Sequence, residues 1–167
     1  GRGELLSKLA VNKKDWYFIG AEPYINGVVH LLKEIKNKEL SNISLFLDDG
    51  FILLENLSNS SIDEMAILFP DPWYKKKHVN RRFINFNSLK QISRVLKPNA
   101  IVTLASDNWI AQNWILKNFS DSGLFEWLIE KSEDWKSSPF NWPETKYMKK
   151  GIASKNLPAW FLFKNFK

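Results

Sequence analysis

Short apolar runs alternate along this chain of 167 residues with segments in which apolar side chains recur every three or four positions. Runs of the first kind are typical of buried strands, and segments of the second kind are typical of helices with one buried face. The apolar runs predict strands over residues 16–21, 43–47, 62–69, 100–105, 125–130 and 159–164. Helices are predicted over residues 4–10, 25–35, 51–57 and 86–96, and around residues 111–115.

Strands that alternate with helices predict an α/β fold, with a mostly parallel sheet covered by helices on both faces. In open sheets of this kind, ligands bind at the carboxyl ends of the strands. An acidic residue follows each of the first four predicted strands: Glu22, Asp49 (preceded by Asp48), Asp71 and Asp107. These positions mark a candidate ligand site. Acidic residues also form turns and cap helices, so both interpretations stay open.

Composition narrows the class of protein further. Apolar residues make up 44% of the chain and charged residues 25%, which is typical of a globular domain. No apolar run approaches the length of a membrane span and no signal-peptide pattern is present, so neither a membrane protein nor a secreted one is expected. The absence of cysteine excludes disulfides, thiolate nucleophiles and Cys-ligated metals and is compatible with the cytoplasm. The net charge of +6 favours an anionic partner such as RNA or DNA, although a lysine-rich composition alone produces the same charge.

The first three residues, Gly1, Arg2 and Gly3, resemble the end of a glycine-rich loop that enters a helix, where glycine lets the backbone approach a cofactor closely. A remnant of an expression tag would look similar, but the helical pattern that follows argues against it. Glu22 lies about 20 positions further on, a spacing that suits hydrogen bonds to ribose hydroxyls. No strand precedes the loop. We therefore expect residues 1–167 to form a single domain that is incomplete at its N-terminus, with a first strand between those ending at Glu22 and Phe69.

The most informative segment covers residues 69–82. Pro70 and Pro72 flank Asp71, fix the backbone on both sides and remove two donors, so the carboxylate stands on a stiff turn at a strand end. Five Lys or Arg residues then lie within positions 75–82 and offer a compact strip for phosphate. Trp73 and Tyr74 are candidates for stacking on a base. The alternative is a solvated basic loop with Trp73 in the core.

Residues 69–82 resemble the signature of the bacterial tRNA (guanine-N7-)-methyltransferase family, and the resemblance runs through nearly the whole chain. It implies a Rossmann-like class I methyltransferase fold and an enzyme that uses S-adenosylmethionine to methylate N7 of a guanine in the tRNA variable loop. The implied partner is tRNA, with no metal and no membrane, and the patterns define no oligomeric state. Two rivals remain: a methyltransferase acting on another RNA or on protein, and a non-catalytic RNA-binding module.

The resemblance also assigns roles to individual positions. The implied cofactor-binding residues are Gly1, Gly3, Glu22, Asp49 and Asp71, with Asp71 placed between cofactor and guanine as the catalytic residue. The implied substrate-binding residues are Lys75, Asp107, Thr145, Lys146 and Tyr147. The implied RNA-binding residues are Lys77, His78, Asn80, Arg81 and Arg82. This chain departs from the family in having Met148 where the family has Glu, and the family's acidic residue before the glycine loop would lie ahead of Gly1.

The chemistry implied by the resemblance needs little from the protein beyond positioning and electrostatics. Guanine N7 carries a lone pair and no proton, so no base has to act before attack. A chain without cysteine and with only two histidines suits that reaction. His30 lies in a helical pattern and is expected to be structural, whereas His78 lies in the basic segment and is expected to contact phosphate. The product guanine is positively charged, so Asp71 or Asp107 would stabilise it, and either could accept from guanine N1 and the 2-amino group.

Overall fold

The computed structural model describes residues 2–145, 148–149 and 157–167. It divides into two compact units. The first contains Gly1–Asn56 and Phe140–Lys149, and the second contains Leu57–Pro139 and Lys150–Lys167. No helix in the described ranges is long and apolar enough to span a membrane.

The first unit pairs a small parallel sheet with three helices. Its elements are α1 (Glu4–Asn12), β1 (Phe18–Ala21), α2 (Ile25–Asn37), β2 (Ile43–Phe46) and α3 (Gly50–Asn56). The strands β1 and β2 run parallel, with Phe18 opposite Ile43 and Ala21 opposite Phe46. Each of the five elements was predicted from the apolar pattern, and the carboxyl ends of both strands lead into the segments that carry Glu22 and Asp49.

The second unit contains a four-stranded sheet in the order β3-β4-β6-β5. Its helices and strands are β3 (Ile62–Leu68), α4 (Phe86–Val95), β4 (Leu96–Ser106), α5 (Trp109–Ser122), β5 (Phe125–Trp127) and β6 (Ala159–Asn165). Two short 3-10 helices cover Lys76–Arg81 and Ser132–Lys136, and a third, Pro139–Asn141, lies where the chain returns to the first unit. The β3–β4 pair is parallel, whereas β6 runs antiparallel to both β4 and β5. The predicted α/β class is confirmed, and β6 is the strand of this sheet that runs against the other three.

The core of the second unit is built from β4 and β6 together with α4 and α5. The side chains with at most 1% exposure there include Leu89, Ile92, Val102, Leu104, Ile115, Phe119, Trp160, Phe161 and Phe163. One buried polar residue, Asn165, is fully satisfied. Its Oδ1 accepts from Ser93 Oγ at 2.8 Å, and its Nδ2 donates to backbone carbonyls that include that of Leu96. This amide therefore ties the end of β6 to the junction of α4 and β4.

Strand boundaries differ from the predicted ones by more than one residue at three places. Residues 97–99 were predicted to stop a helix ahead of a strand at residue 100, but β4 already begins at Leu96. Pro98 ends the helix as expected, and the extended backbone it favours for the preceding residue is continued directly as strand. β5 ends at Trp127, and β1 begins at Phe18. Within the described ranges β1 and β3 each have a single strand neighbour, and the expected first strand stays a prediction.

Candidate functional site

A glycine in the left-handed conformation opens α1. Gly3 has φ 67° and ψ 17°, and its carbonyl accepts from Ser7 N at 2.9 Å in the first helical turn. A Cβ built on Gly3 would lie 2.4 Å from Leu31 Cδ2. The positive φ favours glycine at this position, and any side chain here would also force the buried Leu31 side chain of α2 to shift. The predicted glycine turn into a helix is therefore present, and Gly1 lies outside the described residues.

A cleft of about 320 Å³ lies in the first unit beside this turn. Its lining residues are Arg2, Glu22, Tyr24, Asn26, Gly27 and His30. His30 Nδ1 lies 3.0 Å from the carbonyl oxygen of Arg2, which connects the turn to α2. The Tyr24 ring is 69% exposed. The cleft thus combines a carboxylate, an exposed aromatic ring and a glycine turn, a set of groups that fits a nucleoside with a ribose to bind.

Two acidic residues of the first unit, Glu22 and Asp49, were expected to bind the cofactor, and both accept local hydrogen bonds from the backbone. Glu22 Oε1 accepts from Tyr24 N at 2.8 Å, while its side chain also lines the cleft. Asp49 Oδ1 accepts from Phe51 N at 2.7 Å in the first turn of α3, and Asp49 is not among the residues that line the cleft. Glu22 thus makes a turn contact and Asp49 makes a helix-capping contact, as the alternative interpretation expected, and of the two only Glu22 also lines the cleft.

The turn after β3 carries Asp71 in an unusual backbone conformation. Phe69 and Trp73 both have positive φ, at 54° and 41°. Each non-glycine residue held in that region costs on the order of 1–3 kcal/mol and persists only where neighbouring contacts hold it. At one end, Phe69 N donates to Ala105 O at 2.7 Å. Asp71 itself is exposed, and no residue in the described ranges donates a hydrogen bond to its carboxylate.

Arg82 lies in a different place from the one expected for an RNA contact. It is only 8% exposed. Its Nε donates to Pro72 O at 2.8 Å, its Nη2 donates to Trp73 O at 3.2 Å, and its guanidinium carbon lies 4.5 Å from the centre of the Trp114 ring. Trp114 in turn donates from Nε1 to Ile84 O at 2.6 Å. The guanidinium is therefore engaged with the protein, which argues against the expected phosphate contact for this residue.

The other basic residues of this segment lie on the surface of the 3-10 helix Lys76–Arg81 and its entry. The exposed members are Lys75, Lys76, Lys77 and Arg81, and the neutral Asn80 is exposed beside them. His78 is half-buried, with its ring centre 5.7 Å from that of Trp73, and the Arg81 guanidinium lies 5.1 Å from the same ring. Trp73 is therefore flanked by His78 and Arg81. Tyr74, by contrast, is 65% exposed and keeps an open ring.

Asp107 follows β4 and is half-buried. The next residue, Asn108, caps α5, since its Oδ1 accepts from Ile110 N at 3.1 Å and Ala111 N at 3.2 Å. Asn108 Nδ2 also donates to Tyr74 Oη at 3.0 Å. The segment that carries Asp71 and the segment that carries Asp107 are thus linked by one side-chain hydrogen bond within the second unit.

Among the late positions, only part of the expected substrate motif falls on described residues. Thr145 Oγ1 accepts from Met148 N at 3.2 Å, and Met148 is 5% exposed. Lys146 and Tyr147 lie outside the described residues. No group of three or more His, Cys, Asp or Glu side chains in the described part of the chain could hold a metal ion.

Sequence reasoning missed two contributors to this region. Asn108 carries an ordinary signal, because Asn directly before a helical pattern is a preferred N-cap. The pairing of Arg82 with Trp114 has no such signal, because the two residues are far apart in the chain and only the fold brings them together.

A family model and related sequences both identify this chain as similar to methyltransferases. A family model described as "Putative methyltransferase" matches residues 1–161. A tRNA (guanine-N(7)-)-methyltransferase from Agrobacterium fabrum is 40% identical over 163 residues, which cover 98% of this chain and 70% of that protein. The protein of the same name from Rhizobium johnstonii is 37% identical over 164 residues, with the same coverage.

Comparison with solved structures shows which fold this chain has. The N-methyltransferase NodS from Bradyrhizobium japonicum, in complex with S-adenosyl-L-homocysteine, superposes with a TM-score of 0.60 at 11% identity. The match covers 99% of this chain and 74% of NodS. At that identity the likeness shows that this chain has the fold of such methyltransferases, and it shows nothing further about this chain.

Proposed function

The chain belongs to the tRNA (guanine-N(7)-)-methyltransferase family, and from that premise we propose that it methylates N7 of a guanine in the variable loop of tRNA, using S-adenosylmethionine. The observation that carries the proposal is the Asp71 turn, where an exposed carboxylate stands on a constrained backbone directly ahead of a basic surface. An enzyme with a tRNA substrate is assigned to the cytoplasm as part of the same proposal.

The first unit supplies the groups that would hold the cofactor. Glu22 offers carboxylate oxygens for ribose hydroxyls, and the Gly3 turn lets the backbone approach closely. We assign a cofactor role to Asp49 on the resemblance, in addition to its contact with Phe51. S-adenosylmethionine supplies a methyl group activated by the positive charge on its sulfur.

The second unit supplies the groups that would act on guanine. N7 presents a lone pair and carries no proton, so no side chain has to remove one. As N7 is methylated, positive charge develops on the ring, and the exposed carboxylate of Asp71 stabilises that charge. Asp107 is assigned to the guanine N1–H and 2-amino donors, which adenine does not present in the same pattern.

The surface around the 3-10 helix Lys76–Arg81 is assigned to the tRNA backbone. Lys77 and Arg81 are exposed and positively charged, and Lys75 lies at the entry of the same helix. Contacts of this type to phosphate supply affinity that depends strongly on salt. Asn80, His78 and the late residues Thr145, Lys146 and Tyr147 are assigned to RNA and substrate on the resemblance.

Replacing the acceptor atom tests the proposal. Transcripts of one tRNA are prepared with guanosine or with 7-deazaguanosine, which has carbon in place of N7, and methyl transfer from labelled S-adenosylmethionine is measured. We expect transfer to the first transcript and none to the second, with equal binding of both. Equal transfer to both transcripts would exclude N7 as the acceptor. Binding of both without any transfer would favour the RNA-binding module.

A further inference from the structure

Pro70 and Pro72 stiffen the turn that carries Asp71, but contacts from outside the turn have to hold its strained backbone in place. Pro70 and Pro72 have no N–H to donate, and positive φ at Phe69 and Trp73 is unfavourable for side chains of this size. Phe69 N is anchored to Ala105 O at the strand end of the turn. The other end therefore needs an anchor from elsewhere in the chain.

Arg82 provides that anchor. Its Nε and Nη2 donate to the carbonyl oxygens of Pro72 and Trp73, which are the two residues directly after Asp71. The guanidinium is held from its other side by the face of Trp114 on α5. A planar fork that donates to two neighbouring carbonyls while stacking on an aromatic ring is a geometry that lysine cannot reproduce.

We propose that Arg82 is a positioning residue for Asp71, which fixes the turn of residues 69–73 through two backbone carbonyls and does not contact phosphate. The proposal rests on the proposed function, because it takes Asp71 as the group that acts on guanine. It separates Arg82 from its neighbour Arg81, whose exposed side chain remains assigned to RNA.

The decisive variant is Arg82→Lys, which keeps the charge and removes the fork. A small displacement of a group that acts in the transition state can lower the rate on the order of 10²-fold. We expect kcat to fall by about 10- to 100-fold, while the Kd for tRNA and its salt dependence stay at the wild-type values. A phosphate contact would predict the reverse pattern, with Kd raised and kcat kept.

The matched control is Arg94→Lys. Arg94 also donates to a backbone carbonyl, that of Leu57 at 2.8 Å, and to Asn59 Oδ1 at 2.7 Å, but it lies on α4 and has no assigned part in the reaction. If Arg82 acted only through general stability, both variants would lower the melting temperature and change kcat equally. We expect a loss of kcat for Arg82→Lys alone.

Two further readouts complete the test. In an Asp71→Asn background, Arg82→Lys should lower kcat no further, because the group it positions is already gone; a multiplicative loss would overturn the proposal. Amide hydrogen exchange over residues 69–74 should accelerate in Arg82→Lys and not in Arg94→Lys, and unchanged exchange would also overturn it. If Arg82→Lys does not fold, Trp114→Phe takes its place with the same readouts. Hydrogen exchange does not depend on methyl transfer, so the two proposals can fail separately. If the wild-type protein transfers no methyl group but exchange is still faster in Arg82→Lys, the proposed function is contradicted and Arg82 remains the anchor of the turn.

Discussion

Trp114→Phe removes the hydrogen bond to Ile84 and weakens the stacking of the Arg82 guanidinium, which anchors the Asp71 turn. The indole Nε1 donates to Ile84 O at 2.6 Å, and Ile84 is 1% exposed, so phenylalanine would leave a buried carbonyl without this donor. An unsatisfied buried group costs about 1–3 kcal/mol, and weakening the contact of the Arg82 guanidinium with the ring adds about 0.5–1 kcal/mol. We therefore expect a loss of about 1.5–4 kcal/mol in the free energy of unfolding, a substantial part of a typical total of about 5–15.

Thermal unfolding measures this loss. For a chain of this length, each kcal/mol corresponds to about 2–4 °C, so Trp114→Phe should lower the melting temperature by roughly 3–16 °C. The matched control is Trp109→Phe, which makes the same replacement on the same helix at a side chain that is 68% exposed. That change should stay within about 0.5 kcal/mol of wild type. Equal melting temperatures for the two variants would show that the hydrogen bond to Ile84 and the stacking of Arg82 do not stabilise the second unit.

The geometry leads to three further predictions, which use four substitutions. Gly3 has φ 67°, and Gly3→Ala places a Cβ 2.4 Å from a Leu31 methyl, so S-adenosylmethionine binding measured by calorimetry should weaken. Wild-type affinity in this variant would show that the Gly3 turn does not contribute to cofactor binding. Lys77→Ala and Arg81→Ala should each reduce the slope of log affinity for tRNA against log salt by about one, whereas unchanged slopes would exclude this surface as the RNA site. Met148→Glu restores the residue of the resembled family, but it buries a carboxylate at a position that is 5% exposed, so the melting temperature should fall without a gain in activity; a gain in kcat would contradict this expectation.

Local pattern was enough to predict most of the elements. Apolar periodicity located every strand of the sheets, because burial on a regular element produces a regular sequence. It placed the start of β4 too late, because Lys97, Pro98 and Asn99 carry turn-forming residue types while their backbone continues as strand. Strand limits at such a junction depend on pairing with neighbouring strands, which local composition does not encode.

The candidate site could be predicted only where the residues that define a feature are close together in the sequence. The glycine turn, the two prolines around Asp71 and the density of positive charge could each be recognised in a few consecutive residues. The same reasoning grouped Arg82 with the exposed basic residues, because its sequence neighbours share its charge. Its burial is decided by Trp114 on another helix, and charge alone does not distinguish a guanidinium that faces solvent from one that stacks inside.

Identification of the methylated nucleoside tests the central claim most directly. Unmodified tRNA is incubated with the protein and labelled S-adenosylmethionine, digested to nucleosides, and analysed by chromatography and mass spectrometry, with fragment mapping to locate the site. The account predicts that the label elutes only as 7-methylguanosine from the variable loop, and that Asp71→Asn loses this product while it still binds tRNA. Label on any other atom or on protein, or undiminished 7-methylguanosine from the Asp71→Asn variant, would contradict it.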